Sequence, residues 1–254
     1  MTVLVPEAPI LSARGVRKTF GDFVAVNKVD FDLPRGERHA LIGPNGAGKS
    51  TFIASVAGQL AGVEGSIRFK GEEIARLLPS DVAKRGIGRT FQISRAFLEM
   101  SVLENMSSAY IIAGGHWASL SRAVMADAKE RAAEMLRTVG LLDRADHKVA
   151  DLSLGDRKRL EFGMVLAGDP DLLLLDEPTA GMSIKERHHL MDLVSTRTQE
   201  TGKTLLFVEH DIDVVLRIAQ RVTVMVRGSI LAVGTPAEIA ANDEVQAVYL
   251  GGHH

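Results

Sequence analysis

The chain has 254 residues, 46% of them hydrophobic and 24% charged, which fits a folded globular protein and excludes collagen-like, disordered and disulfide-built chains. Thirty Lys and Arg against 32 Asp and Glu leave a formal net charge of -2, so electrostatics give no case for a nucleic-acid partner. Cysteine is absent, which removes disulfides, thiolate metal sites and a Cys nucleophile.

The first ten residues lack a basic flank and an apolar run, so no signal peptide is expected. Two β-rich runs, Ser12 to Phe20 and Phe23 to Leu33, meet at Gly21-Asp22 and predict an antiparallel hairpin. A short apolar strand, Arg38 to Ile42, leads through the glycine-rich Gly43 to Gly48 into a helix from Lys49 to about Gly58. Ile67 to Phe69 reads as a strand, Ser80 as the cap of a short helix stopped by Gly86, and Ile87 to Phe91 as another strand.

From Ser94 to Leu152 strand signals nearly vanish. Ser101-Val102-Leu103-Glu104 is a capping box, and a helix from Ser121 to Val139 ends at Gly140, so this stretch reads as a helical insert. Helix and strand then alternate: a helix to Ala167, a strand Leu172 to Leu175, a helix Ser183 to Glu200, a strand Thr204 to Val208 and a helix Asp211 to Ala219. This order predicts a parallel sheet covered on both faces. Val222 to Val226 and Ile230 to Val233 form a further hairpin, and Thr235-Pro236-Ala237-Glu238 opens a terminal helix. No apolar run approaches the roughly 20 residues of a membrane span. The expected location is the cytoplasm, with any membrane crossed by other chains.

Gly43-Pro44-Asn45-Gly46-Ala47-Gly48-Lys49-Ser50 matches the P-loop pattern between a strand and a helix. Its glycines permit a tight turn that aims successive amides at phosphate oxygens, and the helix that follows adds its positive dipole end. Lys49 is expected to reach the β- and γ-phosphates and the Ser50 hydroxyl to bind Mg²⁺. Leu172 to Leu175 is a buried strand ending in Asp176-Glu177, where Asp176 can organise Mg²⁺ and Glu177 can polarise an attacking water. His210 follows the next strand and either contacts a γ-phosphate or serves as a packing or capping residue. Gln92 either supplies an oxygen to Mg²⁺ or is an ordinary loop glutamine.

In their order, Gly43 to Thr51, Gln92, Leu152-Ser153-Leu154-Gly155-Asp156, Asp176-Glu177 and His210 resemble the ATP-binding cassette (ABC) ATPases over nearly the whole chain. The resemblance implies an α/β fold over residues 1–254: a P-loop core with a mostly parallel sheet, an N-terminal antiparallel β subdomain, an inserted α-helical subdomain (94–152) and a C-terminal helical extension (234–254). It implies ATP and Mg²⁺ as cofactors, Glu177 as catalytic base and His210 as γ-phosphate sensor. The loop Gly43, Asn45, Gly46, Ala47, Gly48, Lys49, Ser50 and Thr51 would bind nucleotide, and Ser50, Gln92 and Asp176 the metal. Phe20 would stack on adenine. A head-to-tail dimer, with a copy or a paralogue, would bring Ser153, Gly155 and the adjoining Asp156 over ATP held by the other subunit. The helical insert would dock on a membrane permease.

Two departures stand out. Leu154 and Asp156 replace the first Gly and the Gln of the usual signature, Asp156 placing a carboxylate near phosphates with Arg157, Lys158 and Arg159 available to offset it. The loop Ala180-Gly181-Met182-Ser183 lacks the family's common Asp. Gly88-Arg89-Thr90-Phe91-Gln92, Phe97 to Asn105, Pro178 to Met182 and Gly234 to Gly251 resemble the branched-chain amino acid importer ATPases of bacteria, with urea importer ATPases as close relatives. Solute choice in such importers lies with a periplasmic binding protein and the permease. Two other readings are weighed: a soluble ABC protein of DNA repair or the ribosome, and a regulatory cassette without turnover. The short Gln92-to-signature spacing, the single cassette and the absence of a basic stripe disfavour the first, while Asp156 lends slight support to the second.

Overall fold

The computed structural model describes residues 8–90, 96–115 and 121–250. Strands β1 (Leu11–Phe20) and β2 (Phe23–Leu33) form the expected hairpin, with Phe20 opposite Phe23 across the Gly21-Asp22 turn. After β3 (Arg38–Ile42) and helix α1 (Lys49–Val56), β4 (Glu64–Phe69) and β5 (Glu72–Glu73) complete a four-stranded antiparallel sheet in the order β2-β1-β4-β5. Helix α2 (Pro79–Lys84) is capped by Leu78, not by the expected Ser80. Pro79 takes the first helical position, where its missing N–H costs nothing, and this displaces the serine into the first turn.

Strand β6 (Ile87–Arg89) is followed by α3 (Val102–Ala113), which starts at its expected capping box, by α4 (Arg122–Thr138), which Ser121 caps, and by two 3-10 turns at Leu142–Arg144 and Val149–Asp151. Beyond them α5 (Leu154–Leu166), β7 (Leu172–Asp176), α6 (Ile184–Glu200), β8 (Thr204–Val208), α7 (Ile212–Ile218), β9 (Arg221–Val226) and β10 (Ser229–Gly234) alternate as read. The single terminal helix is two, α8 (Pro236–Ala240) and α9 (Asp243–Leu250). Asn242 divides them, because its side-chain oxygen accepts from the Val245 amide at 3.0 Å and so starts a new turn.

The second sheet runs β10-β9-β3-β8-β7-β6 and is parallel except for the β9-β10 hairpin. Its central strands β3, β7 and β8 are largely apolar on both faces, and their successive residues alternate by side. Ala40, Ile42, Leu173, Leu175, Leu205 and Phe207 pack with Met106, Leu136, Phe162, Leu190 and Val215 from the helices α3 to α7. Leu41, Leu172, Leu174, Leu206 and Val208 pack with Phe52 and Ile53 of α1 and with Phe31 and Phe69 of the antiparallel sheet. Each of the four consecutive leucines of β7 is buried, contributing about 1.5–3 kcal/mol. The sheet is thereby fixed between two cores, with the carboxyl ends of β3, β7 and β8 side by side.

Candidate functional site

The loop after β3 is built to leave amides open. Helices α3 through α8 each begin with a Ser, Thr or Asp whose side chain accepts from the first turn. Helix α1 begins with Gly48 at φ 97°, and no side chain caps it. Its first N–H groups and dipole are therefore available to an anion. Ala47 anchors the loop: its N–H donates to the Pro44 carbonyl (3.2 Å), and its own carbonyl accepts from the Gly228 N–H (2.9 Å). Asn45 and Gly46 form the exposed crest. Thr51 follows in the helix, its carbonyl accepting from the Ser55 hydroxyl at 2.8 Å.

Lys49 is buried, its ammonium donating to the carbonyls of Gly43 (2.8 Å) and Pro44 (3.0 Å). Burial pushes this ammonium below its ordinary pKa, and the carboxylates of Glu177 and Asp176 oppose the shift. A cation held by loop carbonyls at the foot of the amide cradle can take up a phosphate oxygen with little side-chain reorganisation.

Asp176, the last residue of β7, accepts from the Ser50 hydroxyl at 3.0 Å through Oδ1 and from Arg89 Nη2 at 3.0 Å through Oδ2. Arg89 also donates to Gln59 Oε1 (2.6 Å), while its Nε is buried without a partner. Sequence reasoning used Arg89 only as a mark of likeness and missed this contact. Its one sequence signal is a charged residue within the strand-like run Ile87 to Phe91. Ser50 and Asp176 offer the hard oxygen donors that Mg²⁺ prefers. Gln92 lies outside the described residues.

Glu177 leaves the strand in the left-handed region, φ 50°, and meets His210, whose Nε2–H donates to Glu177 Oε1 at 2.9 Å. Thus Lys49, Ser50, Asp176, Glu177 and His210 gather at the carboxyl ends of three adjacent strands. Also missed was Glu209, a buried carboxylate beside His210 that accepts from Thr179 and from the His210 amide.

Ser153, Gly155 and Asp156 begin α5. Ser153 Oγ accepts from the Asp156 amide (3.1 Å), which leaves the hydroxyl proton free to donate. Gly155 lies against the Glu186 carboxyl of α6, and Asp156 is paired with Arg159 one turn on. Of the three basic residues that follow Asp156, Arg159 thus does the offsetting; Arg157 donates to the Ala150 carbonyl and Lys158 faces Glu161. Among the described residues, no hydrogen bond joins this segment to the loop 43–50. Phe20 sits at the hairpin tip, 50% exposed, with the Lys18 ammonium 4.8 Å from its ring centroid.

A parallel sheet whose first strand opens through an uncapped glycine loop into a helix, facing two strand-end carboxylates, defines a nucleotide-binding protein of the P-loop class. The ABC transporter profile matches residues 26–180, and that of the branched-chain amino acid ATP-binding cassette transporter matches residues 229–254. The chain is 36% identical over 250 residues to the high-affinity branched-chain amino acid transport ATP-binding protein LivG of Escherichia coli (strain K12), a match covering 96% of this chain and 98% of the relative. Among solved structures, it is similar to the ADP conformation of an ATP-binding cassette of an ABC transporter (30% identity, TM-score 0.82, 95% of this chain and 98% of the other). It is also similar to a dimeric post-hydrolysis cassette bound to ADP and Pi (26% identity, TM-score 0.77, 89% and 98%). The protein belongs to the ABC transporter ATP-binding family and is an ABC ATPase.

Proposed function

We propose that this protein is the ATP-hydrolysing subunit of a bacterial importer of branched-chain or other hydrophobic amino acids, held on the cytoplasmic face of the membrane by permease subunits and fed by a periplasmic solute-binding protein. The Glu177–His210 contact beside the loop of Lys49 carries the ATPase part of this reading. The names of the relatives support the solute. The amides of 43–51 and Lys49 hold the phosphates, while Phe20 takes the adenine. Ser50 and Asp176, with Gln92, hold Mg²⁺, which when bound neutralises phosphate charge. Glu177 accepts the proton of the attacking water, and His210 fixes the Glu177 carboxylate through Nε2 and senses the γ-phosphate.

The working unit is a head-to-tail pair with a second cassette, and the dimeric neighbour supports it. Ser153 keeps a free hydroxyl proton, Gly155 exposes no side chain at the start of α5, and Asp156 is already neutralised by Arg159. All three can therefore close over a second subunit's nucleotide without setting an unpaired carboxylate against its phosphates. Residues 94–152 form the helical subdomain that docks on the permease, and 234–254 form a terminal extension. No helix among the described residues is long and apolar enough to cross a membrane, so on this reading the permease crosses it.

Glu177→Gln, expressed in its native membrane, should keep ATP affinity, lose turnover by a factor on the order of 100 or more, and co-purify with permease subunits. Hydrolysis at the normal rate would remove Glu177 as the base. Ribosomes or DNA in place of a permease would overturn the transport reading.

A further inference from the structure

Glu209 lies between β8 and His210, is only 5% exposed, and has no Lys or Arg partner among the described residues. Both its oxygens nonetheless accept hydrogen bonds. Oε1 accepts from the Thr179 amide (3.1 Å) and the Thr179 hydroxyl (2.6 Å), and Oε2 accepts from the His210 amide (3.3 Å). Burial raises the pKa of this carboxyl, with the Thr179 and His210 bonds opposing the shift. A buried carboxylate without a cation is an expensive way to fill space that a valine would fill, and such groups are retained where they fix one geometry.

What it fixes is visible in the two residues it holds. Thr179 is two positions after Glu177, in a turn that Glu177 enters at φ 50° and that is otherwise tied by Glu177 N–H to the Val208 carbonyl (3.0 Å) and Ala180 N–H to the Glu177 carbonyl (3.2 Å). His210 is the residue that contacts Glu177. The four residues close a ring: Glu177 to His210, the His210 backbone to Glu209, Glu209 to Thr179, and Thr179 back along the chain to Glu177.

We propose that Glu209 and Thr179 are positioning residues that lock the end of β7 to the end of β8 and so hold the Glu177 carboxylate and the His210 imidazole at their mutual distance. Neither touches substrate. The inference rests on the reading of Glu177 as base, and its failure is separable from failure of that reading.

The test compares Glu209→Gln, Thr179→Val and Thr179→Ser with wild type in steady-state ATP hydrolysis and in equilibrium ATP binding. The glutamine amide must turn a donor toward another donor, and valine keeps the shape of Thr179 without its hydroxyl. Displacement of a catalytic group by a fraction of an ångström to an ångström costs on the order of 10- to 100-fold in rate. We expect kcat to fall about tenfold or more in Glu209→Gln and severalfold in Thr179→Val, with KM and ATP affinity within about twofold and Thr179→Ser near wild type. Wild-type kcat in both Glu209→Gln and Thr179→Val would overturn the proposal, as would loss of ATP affinity in step with kcat. If Glu177→Gln itself turns over normally, the base assignment fails instead.

Discussion

The pair Arg89–Asp176 offers a direct measure of how the end of β7 is held. The guanidinium is 11% exposed and the carboxylate 1%, with Nη2 and Oδ2 3.0 Å apart. Burial weakens the hold of Arg89 on its proton, and Asp176 is what opposes that shift. Removing one partner from a pair this buried leaves an uncompensated charge, at a cost of about 3–5 kcal/mol. Arg89→Met leaves Asp176 with the Ser50 hydroxyl alone; Asp176→Asn leaves Arg89 charged, with Gln59 as its other acceptor. For a chain of this length, 1 kcal/mol moves the melting temperature by about 2–4 °C, so each single variant should melt about 6–20 °C below wild type without nucleotide. Together the two substitutions remove both charges, and the double variant should recover most of the loss instead of adding the two. A single variant within about 2 °C of wild type, or losses that simply sum, would refute the claim that this ion pair holds the end of β7.

Two other outcomes follow from the geometry. A Cβ at Gly48 would sit 2.2 Å from the Ala25 carbonyl, whereas one at Gly46 meets nothing within 4 Å. In urea unfolding, Gly48→Ala should therefore cost more than about 3 kcal/mol and Gly46→Ala only the 1–2 kcal/mol or so of a left-handed alanine, and equal losses would discard the steric argument. Because Arg159 already neutralises Asp156, the wild-type protein should hydrolyse ATP and Asp156→Gln should change the rate by less than about fivefold, or roughly 1 kcal/mol. A silent wild type restored by Asp156→Gln would show that the carboxylate blocks closure.

Elements were legible wherever the cause was local. Short β-rich or apolar runs gave the strands, and the capping boxes at Ser101 and Thr235 gave the starts of two helices, because a cap acts within three residues of itself. The loop of Lys49 was legible for the same reason. Arg89–Asp176 and Glu209–Thr179 were not: they join residues 87 and 30 positions apart, and no local periodicity encodes a partner at that distance. The start of α2 failed at closer range. Ser80 competed with Pro79 for the same turn, and the fixed φ of proline prevailed.

The paired carboxylates at the end of β7 show where strand parity carries and where it stops. Leu172 and Leu174 face the core shared with α1, and Leu173 and Leu175 face the helices on the other side. Alternation therefore sends Asp176 to the α1 side, where it meets Ser50, and this could be read from the sequence once α1 was placed. By the same rule Glu177 would point away from the phosphate loop. It does not, because the strand ends there: a left-handed residue at φ 50° breaks the alternation and returns the carboxylate to the same end of the sheet, within reach of His210. A non-glycine residue in that region costs about 1–2 kcal/mol, and nothing in Leu-Leu-Asp-Glu-Pro announces it. The strain is what lets two adjacent residues in one strand-end serve one site, Asp176 toward the Ser50 hydroxyl and Glu177 toward His210. Its persistence requires the turn to be held from outside, by the Val208 carbonyl and by Glu209 through Thr179.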